Sequence, residues 1–276
     1  MIRRDTQLEP TQGHEPLVSP HGRPPFPAWV AWIGHAYTAV GLLLASGMAV
    51  CIVRGTPESF RQTFLLMLVA CLVDATDGSL ARRLRVKQLL PNFDGAKLDD
   101  LIDFLTFTSL PLLLIWRAEL VPPSMQWVLV AALVASAYGF CQVPAKTTDG
   151  YFVGFPSYWN IVAFYLYVLP MASWAAAAVI LVCAALTFVP TYYLYPSRGA
   201  TLSRVTNFLG GVWVVLLLAV LWGFPGGEAE DDPPAARQTL AMAIASLFYP
   251  VYYVIVSWAI TILRWRRQAR HGGANP

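Results

Sequence analysis

From Ala28 onward the chain is built from apolar runs, most of them long enough to cross a bilayer, separated by short polar connections. About 20 apolar residues in a helix cover the roughly 30 Å of hydrocarbon. The AVILMFWYC group makes up 57% of the 276 residues and charged residues only 13%, where a soluble domain has about 45–50% and about 25%. A polytopic, all-α transmembrane bundle is the simplest architecture. Eight spans are expected, over approximately 28–53, 60–82, 99–116, 125–143, 155–171, 173–194, 205–223 and 239–263. The fifth and sixth divide near Pro170, where proline weakens a helix interior, and a single kinked helix is the competing reading. The organisation expected is a tail over 1–27, a membrane domain over 28–265 and a basic tail over 266–276.

Residues 1–27 hold six prolines and no apolar run, a composition that cannot bury enough surface to fold. The first apolar run begins at Ala28 and is too long for a signal-peptide core, so it reads as an uncleaved anchor. Placing both termini in the cytoplasm puts fifteen of the nineteen basic residues on that side, leaving Arg54, Arg61, Arg117 and Arg237 on the other. Such an asymmetry sets orientation in an inner membrane. Net charge is only +3, and no nucleic-acid partner is expected. Cys51, Cys71, Cys141 and Cys183 are scattered through apolar stretches with no ligand spacing, and read as small core residues. Walker loops, GxGxxG and nucleophile elbows are all missing.

Six of the sixteen carboxylates crowd together as Asp74, Asp77, Asp94, Asp99, Asp100 and Asp103, at the end of the second expected span and the start of the third. An aspartate near a helix centre opposes insertion by about 2.5–3.5 kcal/mol unless it faces a polar cavity or a cation. Asp74 and Asp77 are three apart and share a helical face; Asp99 and Asp103 are four apart on the next helix. A short basic connection makes the two helices antiparallel neighbours, so four carboxylates can converge. Packed together they repel, and either some protonate or cations enter. Oxygen-only ligands favour a hard ion, and two Mg²⁺ or Mn²⁺ would balance the four charges and leave a site able to accept a diphosphate. Arg82 and Arg83 are placed to meet phosphate oxygens, Gly78 lets a bulky ligand approach the backbone, and Arg83 to Lys87 read mainly as topology determinants. Asp94 and Asp100 receive no role.

In order, the cluster is Asp74-x2-Asp77-Gly78-x2-Ala81-Arg82-x12-Gly95-x3-Asp99-x3-Asp103. This resembles the signature of the CDP-alcohol phosphatidyltransferases. The family's common pattern has eight residues before the glycine, whereas twelve stand here, a gap similar to that of the bacterial branch that makes phosphatidylcholine. His35-Ala-Tyr-Thr38-Ala-Val-Gly41, Gly154-Phe-Pro-Ser-Tyr158-Trp159-Asn160 and Tyr195-Pro-Ser-Arg198 look like the same branch. The resemblance implies that choline attacks the β-phosphorus of CDP-diacylglycerol, releasing CMP. It also implies that Asp74, Asp77, Asp99 and Asp103 hold two divalent cations, that Asp74, Gly78, Ala81 and Arg82 line the CDP site, that Asp103 takes the hydroxyl proton, and that the enzyme is a homodimer. Arg198 is a candidate phosphate contact.

A quaternary ammonium donates no N–H hydrogen bond, so ring faces must hold it. Tyr151, Phe152, Tyr158, Trp159 and Tyr165 are the candidates for that cage, their other reading being interfacial anchoring. His35 reads as a satisfied polar core or interface residue rather than a catalytic one. Two alternatives stay open: a sibling enzyme using serine, inositol or glycerol phosphate, and a divalent-cation transporter, which would usually place acids near the midplane of several spans.

Overall fold

The computed structural model describes residues 27–142, 151–194, 203–223 and 233–272. The architecture is a helical membrane bundle. α1 (Ala28–Arg54) and α2 (Pro57–Arg83) form an extensively packed hairpin. Its turn is set locally: Gly55 ends α1 at φ 67°, and Thr56 with Ser59 forms a reciprocal capping box around Pro57. Each side chain there satisfies a backbone donor that the helix itself leaves open. A single turn, α3 (Val86–Leu89), leads to α4 (Gly95–Asp103), which runs through a π-helical segment (Phe104–Ser109) into α5 (Leu110–Arg117). Pro111 accounts for the widened segment, because it cannot donate to the Phe107 carbonyl and its ring crowds that oxygen.

The rest of the bundle comprises α6 (Trp127–Cys141), α7 (Trp159–Val168), α8 (Ser173–Leu186), α9 (Ser203–Gly223), α10 (Pro233–Ser246) and α11 (Phe248–Gly272). Among the described residues, five helical segments are long and apolar enough to cross a membrane: Trp29–Arg54, Pro57–Arg83, Pro123–Cys141, Arg204–Gly223 and Ala236–Arg267. The segments expected as the third, fifth and sixth spans fall on the composite α4–α5 and on the shorter apolar helices α7 and α8. α7 and α8 are separate helices, divided at Leu169–Ala172 around Pro170. The last span is itself broken at Leu247, since Pro250 removes the donor that would bond to Ser246. α11 continues to Gly272, past the expected domain boundary at 265.

The expected helical bundle carries one short ribbon that was not expected: β1 (Tyr151–Val153) and β2 (Tyr192–Leu194) pair antiparallel, Tyr151 opposite Leu194 and Val153 opposite Tyr192. The fifth and sixth spans are therefore shorter than expected, α7 starting only at Trp159 and α8 stopping at Leu186. Pro190 pushes Val189 away from helical geometry, and the β-branched and aromatic run Thr191-Tyr-Tyr favours an extended strand. Beside the ribbon, Gly154 at φ 82° lies so close to the Thr187 carbonyl that a Cβ would collide with it.

β2 is docked along one face of α11. Ser257 and Thr261 hydroxyls accept from the Leu194 and Tyr192 amides at 3.3 and 2.8 Å, and the Tyr253 hydroxyl donates to the Leu194 carbonyl at 2.8 Å. These partners replace the second ladder that an isolated ribbon lacks.

Candidate active site

Three elements converge on one cleft. α1 contributes Thr38 and Gly41, α2 contributes Asp74 and Asp77, and α4 with its π extension contributes Asp99, Asp103 and Thr106. Close approach of α1 and α4 depends on Gly41, where a Cβ would collide with the Ile102 side chain. α4 is started by Asp94, whose carboxylate accepts the Lys97 amide N–H at 3.2 Å. That bond, followed by the Lys97 charge, holds the Asp94 carboxyl below the ordinary carboxylate range. The sequence carried the signal for this cap, an aspartate three residues before Lys97 at the head of a helix, although the reading above left it unassigned.

The expected carboxylates do not play equal parts. Asp74, Asp99 and Asp103 each offer an oxygen, all within 4.8 Å of one another, and form the only such group among the described residues. Asp74 is exposed, and Asp99 and Asp103 are half-buried. Asp77 is buried and stands outside this set, its Oδ2 accepting from the Thr38 hydroxyl at 2.9 Å. Three converging oxygens of uniform charge suit a hard divalent cation, which relieves their mutual repulsion. A Cβ on Gly78 would meet only Arg82 Nη1, at 3.4 Å, so packing does not require glycine there. Ala81 lies beside α1 near Gly34, and Arg82 and Arg83 are exposed at the end of α2.

His35 is buried between Trp32 and Phe93, with ring centroids at 5.7 and 4.3 Å. Its Nε2 finds no hydrogen-bond partner, so the expectation of a satisfied core histidine is corrected. The site it fills is shaped by the rings of Trp32 and Phe93 and by Gly95.

The five aromatic candidates fall into two groups. Trp159 is wholly buried in the main core, donating to Ser136 Oγ at 2.6 Å. Tyr165 is also buried, its hydroxyl accepting from Trp213 Nε1 at 2.9 Å and paired with Ser246 at 2.9 Å. Tyr151, Phe152 and Tyr158 instead pack with Tyr193, Leu194 and Tyr253 around the ribbon. There the guanidinium of Arg264 sits over the rings of Tyr151 and Tyr192, at 4.3 and 4.6 Å. Arg198, with Tyr195 to Ser197, lies outside the described residues.

Residues 31–190, which contain every part of the acidic cleft, match the sequence profile of the family described as CDP-alcohol phosphatidyltransferase. Curated relatives named phosphatidylcholine synthase are similar over much of the chain. One from Pseudomonas aeruginosa is 40% identical over 186 residues, covering 67% of this chain and 77% of the relative. Another from Legionella pneumophila is 36% identical over 199 residues, 68% and 75% of the two chains. A third from Bradyrhizobium diazoefficiens is 36% identical over 188 residues, 68% and 69%. With its paired acidic helices inside the matched region, the chain belongs to the CDP-alcohol phosphatidyltransferase family.

Proposed function

We propose that this chain is a phosphatidylcholine synthase, moving the phosphatidyl group of CDP-diacylglycerol to choline with release of CMP. The observation that carries the reading is the convergence of Asp74, Asp99 and Asp103 from two neighbouring helices within the family-matched region. The likeness to relatives named for the choline reaction supports the acceptor.

Asp74, Asp77, Asp99 and Asp103 hold two divalent cations, Mn²⁺ or Mg²⁺. Bound there, such ions would supply positive charge to offset the diphosphate and the leaving CMP. The chain's own groups do the rest. Gly78 and Ala81 give the nucleotide access to the α2 backbone, with Asp74 and Arg82 beside it. Arg82 and Arg198 meet phosphate oxygens. Asp103 orients the choline hydroxyl and takes its proton as the oxygen attacks phosphorus in line. The quaternary ammonium is held by ring faces at the ribbon, from Tyr151, Phe152 and Tyr158, with Trp159 and Tyr165 supporting them from the core. The enzyme lies in the bacterial inner membrane with this cleft toward the cytoplasm, and it works as a homodimer.

The test is purified protein with CDP-diacylglycerol and Mn²⁺, assayed for CMP after separate addition of choline, serine, inositol and glycerol phosphate. Choline alone should drive release. Release driven by one of the others would move the chain to a sibling activity.

A further inference from the structure

Thr38, on α1, makes a hydrogen bond across the helix interface to a motif carboxylate on α2. Its hydroxyl has a single proton and two acceptors in reach: the Gly34 carbonyl at 3.4 Å and Asp77 Oδ2 at 2.9 Å. Bonding back to the preceding turn is the ordinary habit of a helical threonine. Here the shorter contact is to the carboxylate, an acceptor when ionised and the stronger partner. The pair is shielded, for Asp77 is only 6% exposed.

One position earlier on both helices, Tyr37 and Thr76 form a second pair at 2.8 Å. Thr76 directs its own proton to the Leu72 carbonyl at 2.8 Å, so Tyr37 is the donor. Two adjacent hydroxyl contacts thus fix the rotation of α2 against α1, yet only one of them touches a carboxylate.

We propose that Thr38 is a positioning residue of the metal site. By holding Oδ2 of Asp77, it fixes the carboxylate plane and leaves Oδ1 as the oxygen that Asp77 can offer in the cleft it lines. The other three aspartates meet as a set, and Asp77 joins them as a separately oriented fourth ligand. Orientation of a ligand by a hydrogen-bonding partner is worth about 10–100-fold in metal affinity. This inference rests on the reading of the aspartates as cation ligands, and it extends the site onto α1.

The test measures Mn²⁺ binding to purified protein without lipid substrate, from the electron paramagnetic resonance signal of free Mn²⁺, together with the Mn²⁺ dependence of CMP release. Thr38→Val and Thr38→Ala, both lacking the donor, should weaken Mn²⁺ binding about 10–100-fold. Thr38→Ser, which keeps the donor and loses the methyl, should bind nearly as the parent does. Tyr37→Phe, which removes the neighbouring contact, should leave Mn²⁺ affinity unchanged. If Thr38→Val does not fold, the comparison of Ala with Ser decides. Equal Mn²⁺ binding by the Ala and Ser variants would overturn the inference while leaving the metal site standing. Parent protein that binds no Mn²⁺ would overturn the metal reading, and this inference with it.

Discussion

The imidazole of His35 occupies the space in front of Gly95, where a Cβ would lie 2.5 Å from Cε1 and 3.0 Å from Nδ1. The motif glycine is therefore needed for a packing reason that its neighbours in sequence do not reveal. Gly95→Ala must displace either the ring or the first turn of α4, which carries Asp99 and Asp103. Overpacking of this kind costs about 1–3 kcal/mol. Gly95→Ala should lower both thermal stability and turnover, and adding His35→Ala should recover part of each. A double-mutant cycle that is purely additive would deny the contact.

The four motif aspartates should act as a unit. Asp74→Ala, Asp77→Ala, Asp99→Ala and Asp103→Ala should each reduce turnover by about a hundredfold or more, as when a metal or general base is lost. Glu58→Ala, at the opposite end of α2, should have little effect. Near-normal turnover and Mn²⁺ dependence in Asp99→Ala would contradict the metal assignment.

The aromatic candidates should separate by mechanism. Tyr151→Ala or Tyr158→Ala, at the half-buried ribbon cluster, should raise the choline KM while leaving that for CDP-diacylglycerol nearly unchanged. Trp159→Ala should act through folding, since emptying a buried tryptophan site costs about 3–5 kcal/mol and leaves Ser136 without its donor. Steady-state kinetics beside thermal unfolding distinguishes the two. Equal losses for both substrates at Tyr151 and Tyr158 would place choline elsewhere.

Acid should loosen the start of α4. The Asp94 carboxyl is depressed by the Lys97 amide and charge, so its capping contribution is present above the unfolded aspartate value and is lost as pH falls through the lower, folded one. Asp94→Ala should reduce stability at neutral pH and flatten that acid dependence. Asp94→Asn, an equally good cap, should keep the neutral stability but also lose the dependence. Thermal unfolding between pH 7 and about pH 3 is the measurement.

The acidic cluster was legible in part: helical spacing puts Asp99 with Asp103 and the short connection brings Asp74 to them, whereas Asp77, expected in the same set, stands outside it and accepts from Thr38. The division at Pro170 was legible for a similarly local reason, the loss of a backbone donor. Contacts between elements were not. Thr38 meets Asp77, and His35 meets Gly95, only through the rotation of α1 against its neighbours, which no spacing within α1 encodes. The ribbon was hidden differently. Tyr192-Tyr-Leu194 is apolar enough to read as the end of a span, and Pro190 with the Thr191-Tyr-Tyr run gave only short, local signs of a strand. Pro250 likewise marked a helix break within a run whose hydropathy is continuous.

Topology follows from the proposed cytoplasmic donor. Cysteines introduced at Lys87 and at Glu230, in a background without the four native cysteines, should react with impermeant reagents from opposite sides of the membrane. Labelling of both from the periplasm would contradict the orientation.

The most direct measurement supplies purified protein with Mn²⁺, CDP-diacylglycerol of one defined acyl composition and fully deuterated choline, and reads the lipid product by mass spectrometry. The account predicts phosphatidylcholine that carries both the acyl chains of the donor and the complete deuterium label, formed with equimolar CMP and missing when Asp103→Ala replaces the parent. CMP release without labelled phosphatidylcholine, or labelled product undiminished in Asp103→Ala, would contradict it.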